Sequence, residues 1–87
     1  MKIHNFSAGP CILPPEVMQE AAQAIIDFNG LGLSLIEISH RSKEFVAVME
    51  EARSLTKSLL GLPDHFDVLF LQGGASLGFL TSAYNFM

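Results

Sequence analysis

Residues 68–76 read VLFLQGGAS, and this stretch decides the class of fold that the sequence predicts. Residues 67–72 are apolar almost throughout, which is typical of a short strand buried on both faces of a parallel sheet. Gly73 and Gly74 allow a tight turn, and the apolar spacing from Leu77 to Met87 predicts the start of a helix. A strand, a glycine turn and a helix in this order indicate an α/β fold.

The same turn is a candidate anion site. A helix begins with unpaired backbone N–H groups and a partial positive charge, and glycines let the backbone approach a phosphate closely. The hydroxyl of Ser76 adds a possible donor. From the pattern alone, a plain strand–helix turn without a ligand is an equally good interpretation. The spacing fits neither the P-loop nor the dinucleotide motif G-x-G-x-x-G.

Two earlier helices are predicted upstream of this turn. The first begins at Pro15, which suits the first helical position, and ends at the Asn29-Gly30 pair. The second runs from about Lys43 to Leu60, with Ser42 as its N-cap and Gly61 as its stop signal. The apolar faces expected to be buried are Val17, Ala21, Ala24, Ile25 and Phe28 on the first helix, and Phe45, Val48, Met49, Ala52, Leu55 and Leu59 on the second.

A second candidate site precedes the second helix, at Ser39-His40-Arg41-Ser42. A cation at a helix N-terminus opposes the helix dipole, so an anionic partner is expected. Arginine presents a planar fork that grips a carboxylate or a phosphate at two points. The spacing alone favours a structural alternative, in which Arg41 pairs with a structural carboxylate such as Glu37 and His40 is a buried, hydrogen-bonded histidine.

Residues 1–14 are predicted to be an extended arm that lies across another surface. Gly9-Pro10 is a turn signal inside it. The segment from Asn5 to Pro10 could bring backbone close to a ligand, although a plain turn is the better interpretation of these residues alone.

Composition limits the classes of function. Hydrophobic residues make up 49% of the 87 residues and charged residues only 16%, so much of the surface is expected to face protein outside this chain. The net charge of −4 argues against a general nucleic-acid or anionic-membrane binder. Neither a signal peptide nor a membrane span is recognisable, and a cytoplasmic location is expected. His4, His65 and Cys11 do not have metal-ligand spacing, and the single cysteine fits a reducing compartment.

Taken together, these segments resemble the N-terminal part of phosphoserine aminotransferases. The resemblance covers essentially the whole chain and follows family order. It is most specific where Ser39-His40-Arg41 is followed by Gly73-Gly74-Ala75-Ser76. Its other parts are Asn5 to Pro10, Leu13-Pro14, Phe28 to Gly32, and Glu37 to Phe45.

The resemblance implies an N-terminal piece of a fold-type-I pyridoxal-phosphate-dependent transferase. Such a piece contains an extended arm, two helices, the first strand of a mixed, mainly parallel sheet, and the start of the following helix. Residues 1–14 would pack with the small domain, and residues 15–87 would open the large cofactor-binding domain. These enzymes are cytosolic homodimers that convert 3-phosphohydroxypyruvate and glutamate to O-phosphoserine and 2-oxoglutarate in serine biosynthesis.

By matching position, the resemblance assigns Gly74, Ala75 and Ser76 to the cofactor phosphate. It assigns His40, Arg41 and Ala8 to the substrate. Some members have arginine where this chain has Ser76 and serine where it has Ala8, so the substrate contacts of those two side chains are not expected here, whereas backbone contacts would survive.

No catalytic residue is expected within these residues. The Schiff-base lysine of the family has no match among Lys2, Lys43 and Lys57. We expect that lysine later in a longer protein, together with the aspartate that pairs with the pyridine nitrogen and the aromatic residue that stacks on the ring. This piece alone would be inactive. Two alternatives remain: another fold-type-I aminotransferase with a different amino-acid substrate, and a non-catalytic helical interaction module.

Overall fold

The computed structural model describes residues 1–87 and contains three α-helices and one short 3₁₀ helix. Helix α1 spans Pro15–Ile26, the 3₁₀ helix spans Leu35–Glu37, α2 spans Lys43–Leu60 and α3 spans Gly74–Phe86. The chain divides into two compact units, Met1–Val46 and Ala47–Met87. No helix combines the length and the apolar character that crossing a membrane requires.

Helix α1 begins as predicted but ends earlier. Pro15 occupies its first turn, and Asp27 leaves the helical conformation with φ −157° and ψ 120°. The carboxylate of Asp27 instead accepts the N–H groups of Gly30 at 2.8 Å and Gly32 at 2.7 Å. The prediction that Phe28 extends the helical face is therefore wrong, because this side chain–backbone turn competes with another helical turn.

The turn after α1 leads into the 3₁₀ helix, which packs against α1. The Ser34 side chain accepts from the Ile36 N–H, while the Glu37 carboxylate accepts the Ser34 N–H at 2.8 Å. This capping box satisfies N–H groups on both sides of the turn. Ser34 is the single buried residue of the chain, with 5% of its surface exposed.

Helix α2 has the predicted bounds and the predicted caps. The Ser42 hydroxyl accepts the Phe45 N–H at 3.3 Å. At the other end, Gly61 has φ 63°, its N–H donates to the Ser58 carbonyl, and the Leu62 N–H donates to the Lys57 carbonyl. These two bonds form a Schellman motif, in which glycine takes the left-handed position at no steric cost.

The apolar helix faces that were predicted to be buried are only partly shielded from solvent. Along α2 the partly buried positions include Phe45, Val48, Met49 and Ala52, whereas Leu55 is 54% exposed and Leu59 is 85% exposed. No apolar side chain of the chain is buried.

The predicted strand forms no sheet in this structure. Residues 67–72 contain no helix or strand, and the one β-bridge of the chain joins Phe6 and Cys11 in the N-terminal arm. A strand is held by hydrogen bonds with a neighbouring strand, and these residues have none. The strand and its sheet therefore stay predictions.

Candidate functional site

The first part of the site is the turn into α3. Gly73 has φ 101° and Gly74 has φ 59°, so two consecutive residues adopt conformations that disfavour side chains. A Cβ atom on Gly73 would overlap the Leu77 side chain. The chain therefore needs a glycine at position 73 in order to enter α3 in this way.

The turn leaves the first amides of α3 without acceptors in the chain. The Leu77 N–H donates to the Gly73 carbonyl at 3.2 Å, and no side chain caps the helix. The N–H groups of Gly74, Ala75 and Ser76 are therefore unpaired and solvent-exposed. The first turn contains no acidic residue that would compete with an external anion. Three free amides at the positive end of a helix dipole can bind a phosphate group.

The second part of the site is the turn before α2. The Ser39 hydroxyl accepts the Arg41 N–H at 3.1 Å, and the Ser39 carbonyl accepts both the N–H and the hydroxyl of Ser42. These bonds fix the backbone around His40 and Arg41, and both of those side chains are exposed.

Within these 87 residues, neither part of the structural alternative is present. The Glu37 carboxylate is engaged by the Ser34 N–H, and the one ion pair of the chain joins Arg53 to Glu50. Arg41 is thus not paired with Glu37, and His40 is not a buried histidine. The guanidinium of Arg41 is free of protein partners within the chain, as a group that binds an external anion must be.

The third part is the N-terminal arm, where Ala8 lies in a short loop. The side chain of Asn5 donates to the Pro10 carbonyl and accepts from Ser7, so it ties the loop together. The sequence reasoning gave Asn5 no role. Its only local signal was an asparagine two residues before a serine, a spacing at which a side-chain oxygen can accept the following N–H.

The candidate residues lie in three places along the chain. Gly74, Ala75 and Ser76 share one helical turn in the second unit, whereas Ala8 and the His40-Arg41 pair belong to the first unit. That all three places converge on one ligand stays a prediction.

The comparisons with known proteins decide the family. The family model described as Aminotransferase class-V matches residues 3–87. The chain belongs to this family.

Relatives within the family are similar over the entire chain. The phosphoserine aminotransferase of Flavobacterium psychrophilum is 67% identical over 88 aligned residues, which cover 100% of this chain and 25% of the relative. That of Bacteroides fragilis is 60% identical over 87 residues, with 100% and 24% covered. The chain therefore spans about a quarter of the length of the curated relatives it matches.

Solved structures of phosphoserine aminotransferases are similar to this chain in fold. A PLP-bound phosphoserine aminotransferase from Trichomonas vaginalis matches 98% of this chain and 23% of its own, at 40% identity and a TM-score of 0.86. The phosphoserine aminotransferase from Bacillus circulans subsp. alkalophilus matches 90% of this chain and 22% of its own, at 44% identity and a TM-score of 0.79. The fold is thus that of an N-terminal piece of a class-V aminotransferase.

Proposed function

We propose that this chain is the N-terminal quarter of a phosphoserine aminotransferase and that it contributes the backbone amides that bind the cofactor phosphate. The observation that carries the proposal is the row of three unpaired amides at the start of α3, in a chain similar to phosphoserine aminotransferases throughout. The full-length protein would transfer the amino group of glutamate to 3-phosphohydroxypyruvate, as a step of serine biosynthesis.

The chemistry of the α3 turn fits pyridoxal 5′-phosphate. The N–H groups of Gly74, Ala75 and Ser76 offer three donors to a dianionic phosphate, and the Ser76 hydroxyl, which has no hydrogen-bond partner in the chain, offers a fourth. When bound, the cofactor supplies the electron sink for amino transfer. The part of this chain is to hold one end of the cofactor in place, and the covalently attached lysine would come from outside these residues.

The free side chain of Arg41, with His40 beside it, would bind an anionic group of the substrate. A guanidinium can hold a phosphate or a carboxylate through two parallel hydrogen bonds, and a charge-assisted bond is about twice as strong as a neutral one. Ala8 would meet the substrate carboxylate through its backbone N–H, because its methyl side chain has no donor. These roles depend on the three places meeting in the assembled enzyme.

Assembly and location complete the proposal. Residues 1–14 would pack with the small domain, residues 15–87 would open the large domain, and the active sites would form in a cytoplasmic homodimer. The many exposed apolar side chains support a protein partner for this surface, since Leu59 is 85% exposed and Phe79 is 78% exposed.

The decisive experiment uses the full-length enzyme loaded with pyridoxal phosphate. Transamination rates are measured with O-phosphoserine and with unphosphorylated serine, each with 2-oxoglutarate. We expect a clear preference for O-phosphoserine, and we expect Arg41→Ala to raise its KM by about tenfold or more, because a charge-assisted contact contributes about 1.5–3 kcal/mol.

Arg53→Ala is the matched control for this variant. Arg53 is the other arginine of the chain, and it forms an exposed pair with Glu50 that contributes at most about 1 kcal/mol. Its kinetics should match those of the unmodified enzyme. A preference for serine would instead point to another fold-type-I aminotransferase, and a full-length protein that binds no pyridoxal phosphate would point to a non-catalytic interaction module.

A further inference from the structure

Asn5 uses both ends of its side-chain amide to close the loop of the N-terminal arm. Its Nδ2 donates to the Pro10 carbonyl at 2.9 Å. Its Oδ1 accepts the Ser7 N–H at 3.1 Å and the Ser7 hydroxyl at 2.7 Å. An amide oxygen has two lone pairs, so the acceptor capacity of Asn5 is filled by one neighbour.

The backbone of Asn5 closes the base of the same loop. Its carbonyl accepts the Ile12 N–H at 2.7 Å and the Cys11 thiol at 3.3 Å. Phe6 and Cys11 form an antiparallel bridge beside this bond. Residues 7–10 therefore form a loop that is closed at its base by one backbone hydrogen bond and by the Cys11 thiol, and that is spanned inside by the Asn5 side chain.

These bonds determine which loop groups remain available to a ligand. The N–H and the hydroxyl of Ser7 both donate to Asn5. Pro10 has no N–H, and its carbonyl already accepts a hydrogen bond from Asn5. The N–H groups of Ala8 and Gly9 are left, and neither has an acceptor in the chain. Gly9 has φ 96°, a conformation that glycine adopts without strain. Two successive free amides in such a loop suit an anion.

We propose that Asn5 is a positioning residue of the substrate site, which holds the Ala8 and Gly9 amides ready for the substrate carboxylate. This inference rests on the proposed function, since it takes the substrate to be an amino acid or keto acid. Asn5 acts through the loop, because its Oδ1 is filled by Ser7 and one of its two Nδ2 N–H groups is used by the Pro10 carbonyl. The serine hydroxyl next to Ala8 is excluded as the contact, because it donates to Asn5.

The test compares Asn5→Ala, Asn5→Asp and Gln19→Ala in the full-length enzyme. Asn5→Ala removes the bonds to Ser7 and Pro10, so we expect KM for O-phosphoserine and for glutamate to rise about tenfold with kcat nearly unchanged, as for a group that supports ground-state and transition-state binding equally. Asn5→Asp keeps the acceptors for Ser7 and should restore part of this loss. Gln19 is exposed on α1 and its side chain forms no hydrogen bond within the chain, so Gln19→Ala should leave both constants unchanged.

The melting temperature of the cofactor-free enzyme separates positioning from stability. We expect Asn5→Ala to shift it by a few degrees at most, because a neutral hydrogen bond contributes only about 0.5–1.5 kcal/mol to stability. Unchanged KM values in Asn5→Ala, or a fall in kcat and melting temperature together without a change in KM, would overturn the inference. If the unmodified enzyme does not use O-phosphoserine, the proposed function itself is wrong, and this result is obtained before any variant is measured.

Discussion

At the scale of single residues, the pair Gly73-Gly74 at the start of α3 has the clearest chemical role. The sequence predicted a tight turn with free amides, and the left-handed conformations of Gly73 and Gly74 confirm the turn. The two glycines differ in their surroundings. A Cβ on Gly73 would strike the Leu77 side chain, whereas a Cβ on Gly74 would meet nothing within 4 Å.

This difference predicts unequal effects of alanine at the two positions. Gly73→Ala combines an unfavourable φ with an overlap, so it should lower the free energy of unfolding of the full-length enzyme by about 2–4 kcal/mol. It should also weaken pyridoxal phosphate binding, because the amides that follow are displaced. Urea unfolding and a cofactor titration measure the two effects.

Gly74→Ala is the matched control, with an expected cost of about 1–2 kcal/mol from backbone conformation alone. Equal losses at both positions would show that the overlap with Leu77 does not matter.

Other single residues show where sequence reasoning succeeded and where it failed. Ser42 caps α2 as predicted, because an N-cap bond lies within three residues of chain. Arg41 does not pair with Glu37 in this chain, where the Glu37 carboxylate accepts the Ser34 N–H and the one ion pair joins Arg53 to Glu50. A charged side chain with several donors in reach cannot be assigned a partner from spacing.

At the scale of elements, the ends of the helices depend on local competition for hydrogen bonds. Helix α2 has its predicted bounds because strong caps stand at both ends. Helix α1 ends at Ile26 because the Asp27 carboxylate binds two glycine amides, and the apolar spacing does not reveal this bond. Helix α3 begins at Gly74, three residues before the predicted Leu77, because Gly73 already provides the first carbonyl acceptor.

The Schellman motif after α2 gives a prediction at this scale. Gly61→Val places a β-branched side chain at φ 63° and should destabilise the full-length enzyme by about 1–2 kcal/mol. Gly61→Asn should cost less than about 1 kcal/mol, because asparagine tolerates the left-handed conformation. Thermal unfolding of both variants checks the order, and an asparagine variant as unstable as the valine variant would contradict the cap.

At the scale of the whole molecule, the chain has apolar surface and no apolar interior. Not one hydrophobic side chain is buried, and large ones such as Leu69, Phe79 and Phe86 are 70%, 78% and 88% exposed. Burial of such side chains is the main favourable term in folding. The 49% hydrophobic content, read from the sequence as surface that faces other protein, agrees with this exposure.

The isolated 87-residue polypeptide should therefore not unfold cooperatively. We expect a broad, shallow loss of helical circular dichroism with urea and strong binding of an apolar dye, whereas the full-length enzyme should show a steep transition. Analytical ultracentrifugation of the same sample distinguishes aggregation from folding. A sharp transition in a monomeric 87-residue sample would contradict the prediction and would favour an autonomous interaction module.

The sequence by itself determined the helices, their strongest caps, the glycine turn and the family resemblance. All of these depend on residues that are neighbours along the chain, so local sterics and short hydrogen bonds suffice to specify them. Only the three-dimensional structure decided that Asp27 ends α1, that Glu37 accepts from Ser34 and does not pair with Arg41, and that Asn5 closes the arm loop, although each of these bonds joins residues three to five positions apart. In each of these cases one side chain had several partners within reach, and the three-dimensional path of the backbone selected among them.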